Sequence, residues 1–227
     1  MRAHLLAAAL LICLAGTARA GSVLVPVLGG VNVPGIESVR ERAFSRTVHQ
    51  QFDFSCGSAA VATLLTYQYG DAISEHEVFK SMWAHGDQQK IRRDGFSLLD
   101  IKRYLDSRGY QSNGYEVPLD KLMENAVPAI MLISDRGYNH FVVVKGLTAD
   151  RVLLGDPSAG ARVVSRDRFQ KMLVTPIVFV ITDQRQRAIF NGRTDWRTEP
   201  LAPLGTAMSA ARLAQETVFV SPRPGVF

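Results

Sequence analysis

The chain has 227 residues, of which 47% are hydrophobic and 21% charged, and its formal net charge is +5. This length is sufficient for one ordinary hydrophobic core. A charge this small, without a clustered basic face, excludes nucleic acid as a predicted partner. The only cysteines are Cys13 and Cys56, too few for a disulfide framework.

The first 20 residues have the layout of a cleavable secretory signal peptide. A basic start at Arg2 precedes an apolar run and the small-residue site Ala18-Arg19-Ala20. The apolar run is shorter than the ~20 residues that span a bilayer. We therefore predict a signal peptide over 1–20, a periplasmic mature protein without an integral membrane segment, and Cys56 as its single cysteine.

The first half of the mature chain predicts an extended arm followed by helices. Pro and Gly interrupt residues 21–44, which are interpreted as the arm, with at most one short strand. The "KIRRD" cluster is interpreted as a solvated loop. Predicted helices cover 56–69, 75–83 with a capping box from Ser74 to Glu77, "FSLLDIKRYLDSRGY" up to Gly109, and a short segment after Pro118.

The second half changes to short β-branched segments separated by turn residues, which predict consecutive strands. The segments are "PAIMLIS", "HFVVVKGL", "RVLLGDP", "ARVVS" and "PIVFVIT", with a helix from Ser165 to Leu173 between the last two. Helices followed by an antiparallel sheet predict an α+β fold. Residues 183–227 are predicted to be a tail that either docks or is partly disordered.

Cys56 stands before a predicted helix and is followed by small residues. A thiol at a helix N-terminus is exposed to the positive end of the helix dipole and to free N–H groups, which favour the nucleophilic thiolate. A buried structural cysteine is the alternative interpretation, because free cysteines are among the most buried residues.

His140 and Asp156 are the candidate base and orienting residue for such a nucleophile. His140 begins one predicted strand and Asp156 ends the next, so a hairpin between these strands would make them neighbours. Each alone has an ordinary structural explanation. The other histidines of the mature chain are weaker candidates: His49 lies in a loop or strand, and His76 and His85 are predicted to be exposed.

A side-chain amide just before the nucleophile supplies a candidate oxyanion donor. Gln50 or Gln51 would donate a hydrogen bond to the developing oxyanion beside the backbone N–H of Cys56. The sequence shows no ligand spacing for zinc, and no metal or other cofactor is predicted.

Three motifs resemble the peptidase C39 family of papain-like cysteine peptidases, best known as exporter domains that cleave leader peptides after a double glycine. They are "Q-x5-C-G-S-A-A" from Gln50 to Ala60, "H-F-V-V-V-K-G" from His140 to Gly146 and "G-D-P-x-x-G" from Gly155 to Gly160. The resemblance extends over 45–182, which becomes the predicted peptidase domain.

The resemblance implies Cys56 as nucleophile, His140 as acid and base, Asp156 as orienting residue and Gln50, rather than Gln51, as oxyanion donor. Ser55 stands where exporter domains often carry Asp. The segments around Cys56 and after Ile91 are most similar to stand-alone periplasmic members, including those of functional-amyloid (Fap) fimbria secretion systems.

The leading hypothesis is a periplasmic cysteine peptidase whose substrate is a secreted, fimbrial or amyloid protein. A fimbrial subunit or an outer-membrane secretion component is the implied partner. A non-cleaving binding module, such as a chaperone or adaptor, is the alternative, and transpeptidation or amidase chemistry would use the same residues. The double glycine in "VLGGV" at 27–31 is interpreted as a turn, with self-cleavage after Gly30 as the alternative.

Overall fold

A six-stranded antiparallel sheet is the centre of the computed structural model, which describes residues 38–197. The order along the sheet is β1-β6-β2-β3-β4-β5, so the first and last of the strands within 38–197 lie side by side at one edge. The strands are β1 Ser112–Glu116, β2 Ala129–Asp135, β3 Tyr138–Leu147, β4 Arg151–Asp156, β5 Gly160–Ser165 and β6 Ile177–Ile181.

Helices cover both faces of the sheet. Within residues 38–197 they are α1 Val39–Phe44, α2 Cys56–Thr63, α3 Glu75–His85, α4 Gln88–Asp94, α5 Leu98–Ser107, α6 Asp120–Asn125, α7 Arg166–Met172 and α8 Arg193–Trp196. One buried cluster joins α2, α3 and α5 to one face of the sheet, and a second joins α6 and α7 to the other. The N-terminal helices therefore pack on a C-terminal antiparallel sheet, which confirms the predicted α+β class.

The elements with strong local signals form as predicted. Ser74 caps α3, because its hydroxyl accepts from the N–H of Glu77 while the Glu77 carboxylate accepts from the N–H of Ser74. All five predicted strands are present, and the predicted Ser165–Leu173 helix is α7, with Ser165 as its N-cap. The first predicted helix changes to a π-helical segment after Thr63, over Leu64–Gln68.

Two local predictions were wrong. Residues 39–44 of the predicted extended arm form α1, because the Gly and Pro signals of that region all precede them. The "KIRRD" cluster belongs to helix α4 rather than a loop. Its N-cap Asp87 accepts from the N–H groups of Gln89 and Lys90, and Ile91 is buried.

The residues that follow β6 are tied to the end of β3 by a buried ion pair. Lys145 and Asp195 are both fully buried, and the Lys145 ammonium is paired with the Asp195 carboxylate. The ammonium also donates to the carbonyl oxygen of Arg46 at 2.6 Å, and Arg46 Nε donates to Asp195 at 2.9 Å. The portion of the predicted tail up to 197 therefore packs on the domain.

Several predictions fall outside residues 38–197: the signal peptide, most of the arm with its double glycine, and the tail after 197. Among the helices described, none combines the length and the apolar character needed to cross a bilayer.

Candidate active site

Cys56 is the first residue of α2 and lies against β3. Every residue of α2 is buried, and small side chains such as Ala59 and Ala60 let the helix approach the sheet closely. Cys56 belongs to the same buried cluster as Phe141, the residue after His140. The fold thus places the candidate nucleophile next to the strand that carries the candidate base.

Burial opposes ionisation of the Cys56 thiol in this structure. Only 6% of the residue is exposed, and burial raises the pKa of the thiol despite hydrogen bonds from the backbone of Phe141 and Gly57. The charge of Asp156 raises it further. Desolvation therefore outweighs the effect expected from the helix N-terminus.

His140 and Asp156 form a direct pair, as the hairpin of β3 and β4 predicts. His140 Nε2 lies 3.0 Å from Oδ2 of Asp156, and both side chains are almost fully buried. His140 Nδ1 lies 3.4 Å from the carbonyl oxygen of Tyr138. Within residues 38–197, no hydrogen bond joins either ring nitrogen to the Cys56 thiol.

The Asp156 carboxylate is held on both of its oxygens. Oδ1 accepts from the N–H and the hydroxyl of Ser158 at 2.9 and 2.7 Å, and from the N–H of Ala159 at 3.3 Å. Oδ2 faces His140 and forms an ion pair with Arg162 at 2.8 Å. Burial alone would raise the pKa of Asp156, but these partners hold it well below its usual range. Asp156 is therefore a buried carboxylate in direct contact with the imidazole of His140.

Arg162 is a part of this site that sequence reasoning missed. It lies on β5, and its guanidinium pairs with Asp156 on one side and with Asp135 at 2.7 Å on the other. A lone arginine in a strand carries no motif. The only available signal is its position opposite Leu154 in the β4–β5 register, beside the end of β4.

Gln50 and Gln51 differ clearly in environment, because Gln50 is buried and Gln51 is exposed. The Gln50 amide donates to the carbonyl oxygens of Phe52 at 3.0 Å and Asp53 at 3.4 Å, so its N–H groups are occupied in this structure. Its backbone N–H donates to Pro157 O at 3.1 Å, next to Asp156. The oxyanion role of Gln50 stays a prediction.

We expect Gly57→Ala to disturb the start of α2 selectively. A Cβ at this position would lie 2.9 Å from Cβ of Phe96, a contact that requires the helix end or the Phe96 backbone to shift. Overpacking of this kind costs about 1–3 kcal/mol. Urea unfolding should show that loss, and Cys56 alkylation should change in rate. Ala62→Gly in the same helix should weaken folding without altering the labelling of the remaining folded protein.

Most of the predicted peptidase domain matches one known protein family. The sequence model of the peptidase C39 family covers residues 45–185. A protein of Pseudomonas fluorescens named "Probable functional amyloid protease FapD" is 43% identical over 162 residues, 70% of this chain and 72% of its own length. The protein of the same name from Pseudomonas aeruginosa is 39% identical over 81% of each chain.

A solved structure supports the fold assignment. The peptidase domain of Streptococcus ComA, described as a bi-functional ABC transporter involved in quorum sensing, aligns with a TM-score of 0.50 at 20% identity. The alignment covers 60% of this chain and 97% of that domain. This likeness supports the fold, and the family match with the two relatives shows that the chain belongs to the peptidase C39 family and is a cysteine peptidase.

Proposed function

We propose that this protein is a periplasmic peptidase that processes a component of a functional-amyloid secretion system with Cys56, His140 and Asp156 as its catalytic triad. The observation that carries the triad is the buried His140–Asp156 pair at 3.0 Å, on the strands against which the Cys56 end of α2 packs. The names of the two relatives support the substrate class. The predicted signal peptide supports the location.

The reaction proceeds in two proton-balanced steps. His140 removes the thiol proton of Cys56, and the thiolate attacks the substrate carbonyl carbon. The Gln50 amide and the Cys56 N–H stabilise the oxyanion. The intermediate collapses as His140 returns the proton to the leaving amine. Water then gives a proton to His140 and hydrolyses the thioester, and His140 passes this proton to the departing Cys56 sulfur. Asp156 holds the imidazole and stabilises its protonated form.

The test compares protein N-termini in the native host. A deletion strain is complemented with the wild-type gene or with Cys56→Ala, and the envelope and secreted proteins are analysed by mass spectrometry after N-terminal labelling. We expect a few termini that require Cys56, at least one of them in an amyloid-system protein. The same spectra should show this protein itself beginning at Gly21.

Two results would contradict the proposal in different ways. Identical termini in both strains, with amyloid export rescued by Cys56→Ala, would favour the binding module. Substrate termini joined to a new amine rather than released would favour transpeptidation. Ser58→Ala is a matched control, because its buried hydroxyl bonds to Ser55 and Glu75 and has no assigned chemical role.

A further inference from the structure

The four residues assigned to the reaction are buried. Exposure is 6% at Cys56, 9% at Gln50, 2% at His140 and 0% at Asp156. Attack requires the substrate carbonyl carbon to come within about 3–3.5 Å of the sulfur. We therefore expect side chains around the sulfur to move before a peptide is cleaved.

Tyr138 is the side chain placed to close the site. Its ring stacks on the His140 ring, with centroids 5.4 Å apart and planes inclined by 21°. Its hydroxyl donates a hydrogen bond to the carbonyl oxygen of Asp53, in the loop that leads into Cys56. One side chain thus bridges the strand of the candidate base and the loop before the candidate nucleophile.

The carbonyl group that Tyr138 contacts is also bonded to Gln50, the proposed oxyanion donor. The Asp53 carbonyl accepts from both the Tyr138 hydroxyl and the Gln50 amide. Burial raises the pKa of the Tyr138 hydroxyl, the charge of Cys56 raises it further, and a hydrogen bond from Gln50 acts in the opposite direction. The shared acceptor places the Tyr138 hydroxyl beside the Gln50 amide.

Tyr138 is also well placed to move. With 43% of its surface exposed, it directly follows the tight turn between β2 and β3, in which Arg136 and Gly137 have φ values of 51° and 82°. A rotation of its side chain toward solvent leaves the β2–β3 ladder intact. The Asp53 carbonyl would then be free for another donor.

We propose that Tyr138 is a cap that an extended substrate peptide displaces, with a backbone N–H of the peptide replacing the Tyr138 hydroxyl at the Asp53 carbonyl. The exchange keeps the Asp53 carbonyl oxygen hydrogen-bonded and gives the peptide N–H an acceptor in place of water. Displacement uncovers the His140 ring and loosens the loop that engages the Gln50 amide. Because the cap acts on the proposed triad, this inference rests on the proposed function.

The test is the rate of Cys56 alkylation by iodoacetamide in the full mature chain. Tyr138→Phe removes only the bond to Asp53, worth about 0.5–1.5 kcal/mol, so labelling should accelerate about 2- to 12-fold. Tyr138→Ala removes the whole cap and should accelerate labelling further, more strongly for a bulky maleimide than for iodoacetamide. Tyr115→Ala is the matched control, because Tyr115 has the same 43% exposure on the distant strand β1.

If Cys56 is labelled at the wild-type rate in both Tyr138 variants, the cap proposal is wrong. Equal urea midpoints for Tyr138→Phe and the wild type would show that faster labelling does not come from unfolding. The pH profile of Tyr138→Ala separates the cap from the triad. If labelling persists below pH 7 and is lost on adding His140→Ala, the result supports both the cap and the triad. If labelling is faster but follows the pH profile of an ordinary thiol, the result supports the cap and contradicts the triad.

Discussion

Asp156→Asn is expected to lower kcat/KM for the substrate found in the host about 10³- to 10⁴-fold while the protein stays folded. In the proposed mechanism, the carboxylate holds Nε2 of His140 and compensates the positive charge that the ring gains when it takes the Cys56 proton. An asparagine has nearly the same shape but no charge. The measurement is steady-state cleavage of a peptide spanning the site identified by N-terminal labelling.

Asp135→Asn is the matched control for this variant. Asp135 pairs with the other side of the same Arg162 guanidinium but does not contact His140. Its side chain is 22% exposed, so we expect kcat/KM within about threefold of the wild type, as for other partly solvated ion pairs. Equal losses in the two variants would mean that Arg162, rather than the Asp156–His140 contact, determines activity.

Asp156→Asn should also change the acid stability of the protein. The pKa of Asp156 is lower in the folded than in the unfolded state. Its contribution to the free energy of unfolding is therefore complete above the unfolded value of about 3.9, and it is lost as the pH falls towards the folded value. The wild type should lose more stability than Asp156→Asn when urea unfolding is repeated at decreasing pH below that value.

Asp195→Ala should destabilise the protein by about 3–5 kcal/mol, because removing one partner leaves the other charge buried. Lys145 is fully buried, and burial lowers the pKa of its ammonium while the charge of Asp195 raises it. Without Asp195, Lys145 must either lose its proton or let water in. Equilibrium urea unfolding measures the loss, and a value below about 1 kcal/mol would contradict the assigned role of the pair.

Two further variants define the cause of that loss. Asp106→Ala removes a carboxylate from the half-exposed Lys102–Asp106 pair and should cost no more than about 0.5 kcal/mol. Lys145→Met combined with Asp195→Asn removes the isolated charge as well as its partner. This double variant should recover a large part of the stability lost in Asp195→Ala, since buried ion pairs are often replaceable by neutral side chains.

Sequence reasoning succeeded where the signal is local. The capping box at Ser74 and the β-branched segments from 128 to 182 are encoded within a few residues, and the corresponding helix and strands form. The adjacency of His140 and Asp156 followed from a short connection between two strands. Each of these inferences needs only neighbours in sequence.

Strand β1 was missed because its stability comes from distant residues. The segment "SNGYE" includes Asn and Gly, which are depleted in strands. It becomes a strand by pairing with β6, more than 60 positions later, with Ser112 opposite Ile181. The strand propensities of these residues contain no information about a pairing strand so far along the chain.

The sequence predicted which residue types form the candidate site, but it did not predict how deeply they are buried. Motifs identified Cys56, His140, Asp156 and Gln50, whereas Arg162 and Tyr138 become relevant only because folding brings them to those residues. The expected lowering of the Cys56 pKa was wrong because dehydration is a property of the packed protein. Sequence position shows a helix N-terminus, but it does not show how much water remains there.

The buried Lys145–Asp195 pair also affects the order in which the chain can fold. The family match ends at residue 185, but the counter-charge of Lys145 lies ten residues further on, and the third member of the cluster, Arg46, is 149 positions before Asp195. During synthesis from the N-terminus, the sheet can be complete through β6 while an ammonium at its centre still lacks its carboxylate. A nascent chain would therefore remain short of its final stability until residue 195 has been added.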